Sequence, residues 1–197
     1  ILKLGPATIA KMTVATGKKV LVLLAHPSFG ESRVNKALSK AFDTEDNVTV
    51  RHLDALYPTN NMTPEDIETE QNLLRASDVI VFQFPLFWYS SPSVLKMYQD
   101  NVLAYGFAYG STGKALNGKK MLVCTSTGGP VEAYQPDGGN KNGTGATLDE
   151  MMTPFRCMCR LTGMEYQTPF RTHGARVISD EGLAAQCDKY VETVLAL

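Results

Sequence analysis

The sequence has little of several features that mark large classes of protein. Its 197 residues include four cysteines, and no two of them form a Cys-x-x-Cys pair. This pattern favours reduced, buried or half-buried thiols over a disulfide framework or a zinc site. We therefore predict no bound metal, and a reducing compartment such as the cytoplasm.

The sequence also has little net charge and no long hydrophobic run. The net charge is −1, so the basic surface typical of nucleic-acid binding is missing. No apolar run reaches the roughly 18 residues of a membrane span. The opening segment ILKLGPATIAKMTVATGKK is interrupted by Lys3, Gly5, Pro6 and Lys11, which is unlike a signal peptide.

The first residues contribute nothing to the fold prediction. The sequence begins with Ile1, and Met12 is an alternative start, in which case residues 1–11 would be an added or upstream segment. We treat residues 1–17 as an N-terminal extension and expect one domain over residues 18–197. A chain of this length can bury a substantial core without disulfides or metals.

What the chain does contain is a regular alternation of strand and helix patterns. Apolar or alternating runs predict strands at 19–25, 48–54, 78–84, 119–126 and 164–170. Helical spacing and capping residues predict helices at 32–42, 63–77, 91–103, 147–162 and 180–196, with a kink or late start at Pro154. This alternation predicts an α/β fold, a doubly wound five-stranded parallel sheet with helices on both faces.

Three loops follow the predicted central strands and should meet at the carboxyl edge of the sheet, where open α/β sheets bind ligands. The first is HPSFGESRVN (26–35). Ser32 and the backbone N–H groups of residues 32–35 would lie at a helix N-terminus, which suits a phosphate, and His26 and Asn35 add polar groups. A solvated cap with a surface histidine explains this loop equally well.

The second loop, PLFWYS (85–90), places Phe87, Trp88 and Tyr89 side by side. Three large aromatic residues in one turn cannot all face inward, so they would form an exposed apolar patch unless a ligand or partner covers them. An aromatic wall with free backbone N–H groups suits a planar heterocycle.

The third loop, TSTGGPVEAY (125–134), offers small residues, free amides and Tyr134. A plain turn is the alternative for this loop alone. Taken together, the three loops predict a phosphate site, an aromatic wall and a backbone clamp, which match flavin mononucleotide (FMN).

At these residues the chain resembles a known family. AHPSFGESRVN, FQFPLFWYSSPSVLKMYQDNVLAYGFAYG and TSTGGPVEAY are similar to motifs of the flavodoxin-like NAD(P)H:quinone oxidoreductases. That family includes DT-diaphorase and the ancillary oxidoreductases of bacterial potassium efflux. The resemblance implies a flavodoxin-like fold, a homodimer, and two-electron ping-pong transfer from NADPH or NADH through flavin to a quinone or similar acceptor.

The resemblance also implies roles for individual residues. The flavin phosphate and ribityl chain would be held by His26, Ser32, Arg33, Val34 and Asn35. The ring would lie against Pro85, Leu86, Phe87, Trp88 and Tyr89, and its pyrimidine edge against Ser126, Thr127, Gly128 and Gly129. Tyr134 matches the active-site tyrosine, and Phe107 and Tyr109 would reach the partner subunit's site.

The chain departs from the family pattern in two ways. The longer mammalian enzymes place a histidine six residues beyond the tyrosine, where this sequence has Asn140, which is the second candidate catalytic residue beside Tyr134. The chain is also shorter at its C-terminus than the FAD enzymes, which favours FMN over FAD. His52 and His173 are expected to be solvated or packed, with no catalytic role.

Three other functions stay open at this stage. A one-electron flavodoxin-type carrier is disfavoured by the near-neutral charge and the long Gly-rich loop over 128–146. An ancillary subunit that docks peripherally on a membrane antiporter would use the aromatic loop as a contact. Azoreductase or nitroreductase activity could use the same flavin site.

Overall fold

The structure is a computed structural model that describes residues 17–136 and 143–197. Residues 1–16 of the proposed extension over residues 1–17, and the candidate residue Asn140, lie outside the described residues. All of the predicted strands and helices fall within the described part of the chain.

Strands and helices alternate along the chain, as predicted. The strands are β1 (Val20–Leu24), β2 (Val48–His52), β3 (Val79–Pro85), β4 (Lys120–Ser126), β5 (Glu165–Tyr166) and β6 (Phe170–Thr172). The helices are α1 (Arg33–Lys40), α2 (Leu53–Leu56), α3 (Pro64–Ala76), α4 (Ser93–Val102), α5 (Leu148–Met151), α6 (Thr153–Thr162) and α7 (Asp180–Leu195).

The sheet has the order β2-β1-β3-β4-β5, with β6 also paired to β4, and its strand pairs are parallel. The doubly wound parallel sheet predicted from the sequence is therefore confirmed. The last strand differs from its prediction. In place of one strand over 164–170 there are two: β5, which pairs at Lys120 and Met121, and β6, which begins at Phe170 and pairs from Cys124 to Ser126. Pro169 lies between them, and it has no N–H group to donate to the ladder.

The central strands are apolar throughout because both faces of the sheet are covered. Leu21 and Leu23 of β1 belong to the core on one face, and Val20 and Val22 belong to the core on the other. Successive strand side chains point to opposite faces, so a doubly covered strand needs apolar residues at every position. Helices α3, α4 and α6 cover the first face, and α1 and α7 cover the second.

Capping residues set where the helices begin. Thr63 and Thr147 each form a capping box, with Asp66 and Glu150 three residues later. The helix predicted over 147–162 divides at Met152, and Pro154 lies in the first turn of its second part, α6. The interruption predicted at Pro154 is thus found as a break between two helices.

A buried carboxylate joins four elements on the first face. Glu70 of α3 is fully buried and is bonded to the Arg51 guanidinium of β2. The Tyr57 hydroxyl donates to Glu70 Oε1 at 2.6 Å, and the Tyr98 hydroxyl of α4 approaches Oε2 at 3.4 Å. Burial raises the pKa of both tyrosines, so their hydroxyls stay protonated and donate.

We expect Glu70→Ala to lower the free energy of unfolding by about 3–5 kcal/mol, because it leaves the Arg51 charge and two buried hydroxyls without an acceptor. Urea denaturation followed by circular dichroism would measure the change. Glu68→Ala, on an exposed position of the same helix, is the control and should change stability by less than about 0.5 kcal/mol. Equal losses in the two variants would contradict this role for Glu70.

Candidate functional site

The three predicted loops meet in a cleft of about 470 Å³ at the carboxyl ends of β1, β3 and β4. This size lies within the range of small-molecule sites in proteins. Eleven of the predicted binding residues line the cleft: His26, Ser32, Arg33, Val34, Asn35, Pro85, Leu86, Phe87, Ser126, Thr127 and Gly128. The lining also includes Ser28, Glu31, Ala175 and Arg176, which the sequence analysis did not select.

One end of the cleft is the N-terminus of α1. Ser32 is the N-cap, and its Oγ accepts from the N–H of Asn35 at 3.2 Å. The first N–H groups of a helix have no partner within it, so those of Arg33 and Val34 are available to an anion. The Arg33 guanidinium is directed elsewhere, because it donates to the carbonyl of Ile178 at 2.6 Å and pairs with Asp180.

Asn35 is the most constrained polar residue of the cleft. It is buried, and its Nδ2 donates to Ser126 Oγ at 2.9 Å. Its carbonyl oxygen accepts from Gln83 Nε2 at 2.9 Å. Within the described residues, the side-chain oxygen Oδ1 has no hydrogen-bond partner. A buried acceptor without a donor costs stability, so this atom fits a hydroxyl group of a bound ligand.

His26 is a neutral donor at the same end of the cleft. Burial lowers the pKa of its imidazole, so the ring is uncharged at neutral pH. The N–H of Ser28 donates to Nδ1 at 3.2 Å, which leaves the hydrogen on Nε2. The backbone N–H of His26 donates to Asp54 Oδ2 at 2.6 Å, and this bond fixes the backbone of His26.

A tight turn at residues 87–90 forms the aromatic side of the site. Phe87 and Ser90 exchange two backbone hydrogen bonds, of 2.9 and 3.0 Å. Between them, Trp88 and Tyr89 have φ angles of 47° and 63°, in the left-handed region that glycine favours. Phe87, Trp88 and Tyr89 are 41%, 92% and 54% exposed, so the predicted apolar patch is present on this surface.

The third loop is fastened to the segment that follows β6. Thr127 N donates to Thr172 O, Ala175 N to Thr127 O, and Gly174 N to Gly129 O, each at 2.9 Å. Gly128 faces open space, which leaves its backbone accessible from the cleft. Tyr134 lies beside the same turn, with its Oη 3.6 Å from where a Cβ on Gly129 would be.

The other predicted site residues are not part of the cleft lining. Trp88 and Tyr89 are exposed on the aromatic turn, and Gly129 and Tyr134 are half-buried further along the third loop. Phe107 is 5% exposed in the core of its own chain, with the Arg75 guanidinium 4.8 Å from its ring centroid. Of the two residues expected to reach a partner, the structure therefore leaves only Tyr109 on an accessible surface.

Tyr109 lines a second, more apolar groove of about 510 Å³ between α4 and α6. Its other walls include Lys96, Gln99, Phe155, Met158 and Leu161, and Leu161 is 65% exposed. Ser90 at the end of the aromatic turn also lines this groove, so the groove continues the surface on which Trp88 and Tyr89 are exposed.

The described residues contain no group of three or more metal-ligating side chains arranged to hold an ion. No described helix is both long enough and apolar enough to cross a membrane. All four cysteines are free, and burial raises the pKa of Cys124 and Cys159 to about 12.

Comparison with known proteins agrees with this architecture. A family model described as a flavodoxin-like fold matches residues 18–194, and the chain belongs to this family. The uncharacterized NAD(P)H oxidoreductase YdeQ of Bacillus subtilis is 40% identical over 89% of this chain and 86% of its own. The potassium-efflux ancillary protein KefG of Cronobacter sakazakii is 42% identical over 87% of this chain and 90% of its own.

Two solved structures resemble this one over nearly the same residues. General stress protein 14 of Treponema denticola, in complex with FMN, superposes with a TM-score of 0.81 at 35% identity, covering 90% of this chain and 98% of its own. A protein of P. pentosaceus described as an NADPH-quinone reductase has a TM-score of 0.79 at 28% identity, covering 89% and 97%.

We expect Trp88→Gly to raise the free energy of unfolding by about 1 kcal/mol relative to Trp88→Ala, because only glycine is unstrained at this φ. Both variants remove the exposed ring, so their difference isolates the backbone cost. Urea denaturation of the ligand-free protein would measure it. Equal stability of the glycine and alanine variants would show that the turn stores no strain.

Proposed function

We propose that the chain is an FMN-dependent NAD(P)H oxidoreductase that reduces quinones or similar two-electron acceptors. The observation that carries this proposal is one cleft that joins a helix N-terminus, a buried unpaired acceptor on Asn35 and an exposed aromatic turn. The relatives named for NAD(P)H oxidation and quinone reduction, and the relative that binds FMN, support it.

The cleft fits FMN at three points. The N–H groups at the start of α1 and the neutral His26 would hold the phosphate. Asn35 Oδ1 would accept from a ribityl hydroxyl, which supplies the donor that this buried atom lacks. Leu86, Phe87 and the rim of the aromatic turn would contact the flat ring. FAD is the alternative ligand, and its adenosine half would have to lie outside these contacts.

Bound FMN would supply the chemistry, accepting a hydride from NADH or NADPH and passing it on. The protein's part is positioning and electrostatics. The Thr127–Gly129 turn would present the backbone N–H groups of Gly128 and Gly129, and nearby Tyr134 its hydroxyl, to negative charge at the ring edge, while the N–H of Thr127 stays bonded to Thr172 O. Donor and acceptor would use the exposed aromatic side in turn, which is the ping-pong order. A wall of aromatic rings accepts many flat molecules, so azo and nitro compounds are also expected substrates.

The absorption spectrum of the purified protein tests the main proposal. We expect visible flavin bands, a released chromophore with the mass of FMN, and bleaching by NAD(P)H within seconds. A flavodoxin-type carrier would bind flavin but react slowly with NAD(P)H. A colourless protein that takes up neither FMN nor FAD would overturn the proposal.

A second candidate function rests on the similarity to KefG. In this case the chain would be an ancillary protein docked peripherally on a membrane antiporter, in the cytoplasm, where its free cysteines stay reduced. The exposed aromatic turn would be the contact. The spectrum decides whether a chain with this function also carries flavin.

We also propose that the chain is a homodimer. The groove between α4 and α6 is apolar, contains Tyr109 and continues into the exposed aromatic turn. A second copy of the chain seated there would cover the groove and place its own Tyr109 beside the first copy's aromatic turn.

We expect Tyr134→Phe to slow reduction of the acceptor by on the order of 10–1000-fold while FMN stays bound, because the variant removes one donor to developing negative charge. Stopped-flow absorbance would give the rate, and fluorescence titration the FMN affinity. Tyr166→Phe is the control, because Tyr166 lies on β5 opposite Met121, away from the ligand edge, and its hydroxyl has no hydrogen-bond partner among the described residues. Unchanged turnover in Tyr134→Phe would remove Tyr134 from the mechanism.

We expect Leu161→Glu to halve the molar mass measured by light scattering, since it places a charge in the proposed apolar contact. Val50→Glu, on the exposed face of β2 at the other edge of the sheet, should leave the mass at twice that of one chain. A monomeric wild-type protein would contradict the dimer.

A further inference from the structure

One histidine beside the cleft was expected to be only solvated or packed, yet the structure places it against the third loop. His173 follows β6, and its Nδ1 lies 3.0 Å from the hydroxyl oxygen of Thr127. Its ring centroid is 5.5 Å from that of Tyr134, with an angle of 42° between the planes. The histidine thus contacts two residues that the proposed function assigns to the ring edge.

The hydrogen bonds around Thr127 define which nitrogen of His173 carries hydrogen. The Thr127 hydroxyl lies 2.9 Å from the carbonyl oxygen of Gly129, which can only accept. A hydroxyl has one hydrogen, and Thr127 uses it for this bond. His173 Nδ1 must therefore be the donor to Thr127, which leaves Nε2 as the basic nitrogen of the neutral ring.

This arrangement links the histidine to the shape of the turn. The chain of bonds runs from His173 Nδ1 through the Thr127 hydroxyl to Gly129 O, and Gly129 O also accepts from Gly174 N. Adding a proton at Nε2 breaks none of these bonds. The ring can therefore become a cation while the turn keeps its position.

The charged groups around His173 come from three elements. Arg171 on β6 lowers the pKa of the histidine, in addition to the larger effect of burial, and Glu132 in the loop after β4 opposes this. Lys189 of α7 shares an open cavity with the ring, and Arg171 itself is paired with Asp149. The ring is therefore neutral at neutral pH, and negative charge placed near it would favour its protonated form.

We propose that His173 is a positioning residue that fixes the Thr127–Gly129 turn and takes up a solvent proton at Nε2 when negative charge is placed on a ligand at that turn. This inference rests on the proposed function for the identity of the ligand, FMN. The negative charge would be that of reduced FMN, and the imidazolium would offset it through the turn.

Nuclear magnetic resonance of protein labelled with ¹⁵N and ¹³C in histidine tests both parts. In the ligand-free protein at pH 8, we expect Nδ1 of His173 to carry the hydrogen and Nε2 to be bare. With FMN bound, reduction by dithionite should raise the pKa of His173 by about one unit or more. His26 and His52 are the internal references, since the phosphate charge near His26 is the same in both redox states.

Two variants distinguish a positioning role of His173 from a role in packing alone. His173→Asn keeps an N–H donor for Thr127 but does not titrate, whereas His173→Leu removes the donor. In the wild type, the affinity for reduced relative to oxidised FMN should rise as the pH falls through the raised pKa. His173→Asn should bind oxidised FMN within about twofold of wild type and lose this pH dependence. His173→Leu should weaken binding of both forms by about tenfold, the value of one hydrogen bond.

The outcomes distinguish this inference from the proposed function. If FMN binds and is reduced while the pKa of His173 stays constant, the inference is wrong and the proposed function stands. If Nδ1 of the free protein is bare, the bonding argument is wrong. If no flavin binds, both fail, and the absorption spectrum reveals this before any resonance is measured.

Discussion

A chain of buried side-chain hydrogen bonds holds the ligand end of the sheet together, and the candidate site depends on it. Tyr190 of α7 donates to Gln83 Oε1 at 3.2 Å, Gln83 Nε2 donates to Asn35 O at 2.9 Å, and Asn35 Nδ2 donates to Ser126 Oγ at 2.9 Å. Gln83 interrupts the otherwise apolar strand β3, and an unpaired buried amide there would be costly. Both polar atoms of the Gln83 side chain are hydrogen-bonded. The chain of bonds therefore fixes the positions of α1 and α7 relative to the ends of β3 and β4. The acceptor left without a partner among the described residues, Asn35 Oδ1, is the one that we propose bonds to a ligand.

The aromatic turn carries backbone strain, and side-chain bonds deeper on the same face of the sheet hold it in place. The left-handed conformations of Trp88 and Tyr89 cost of order 1–3 kcal/mol each, and such strain persists only where its surroundings hold it. Helix α4 begins three residues after the turn, and Tyr98 on α4 is anchored at Glu70. The buried carboxylate thus fixes the helix from which the turn projects. The exposed rings themselves contribute little to folding, which is typical of residues kept for a ligand or a partner.

The sequence was sufficient for those features that follow from local pattern. Strands such as β1 were predictable because burial on both faces demands uninterrupted apolar residues. Helix α2, with four residues, is much shorter than the window of about 11–18 residues in which helical periodicity can be recognised. The error at 164–170 had the larger consequence. Because Pro169 breaks the strand, the chain restarts as β6 and carries His173 and Arg176 to the ligand edge, beyond the position where the predicted strand ended. The burial of Phe107 was likewise invisible, since it comes from packing in the core with residues distant along the chain, and Arg75, which contacts its ring, is 32 positions away.

The two ends of the cleft differ in how they can respond to charge. At the α1 end, the Arg33 guanidinium is held by Asp180 and His26 is neutral, so an anion there would meet backbone and imidazole N–H donors. Backbone donors do not titrate, and they hold a phosphate equally well whatever the state of the rest of the ligand. At the Thr127–Gly129 end, the side chain bonded to the turn is a histidine with a free basic nitrogen. A change of charge on a bound ring would therefore leave the donors at the α1 end unaffected. His173 would respond to that change by taking up a proton. With the proposed ligand bound, this division would let the α1 end keep the ligand in place while the Thr127–Gly129 end responds to the charge of the ring.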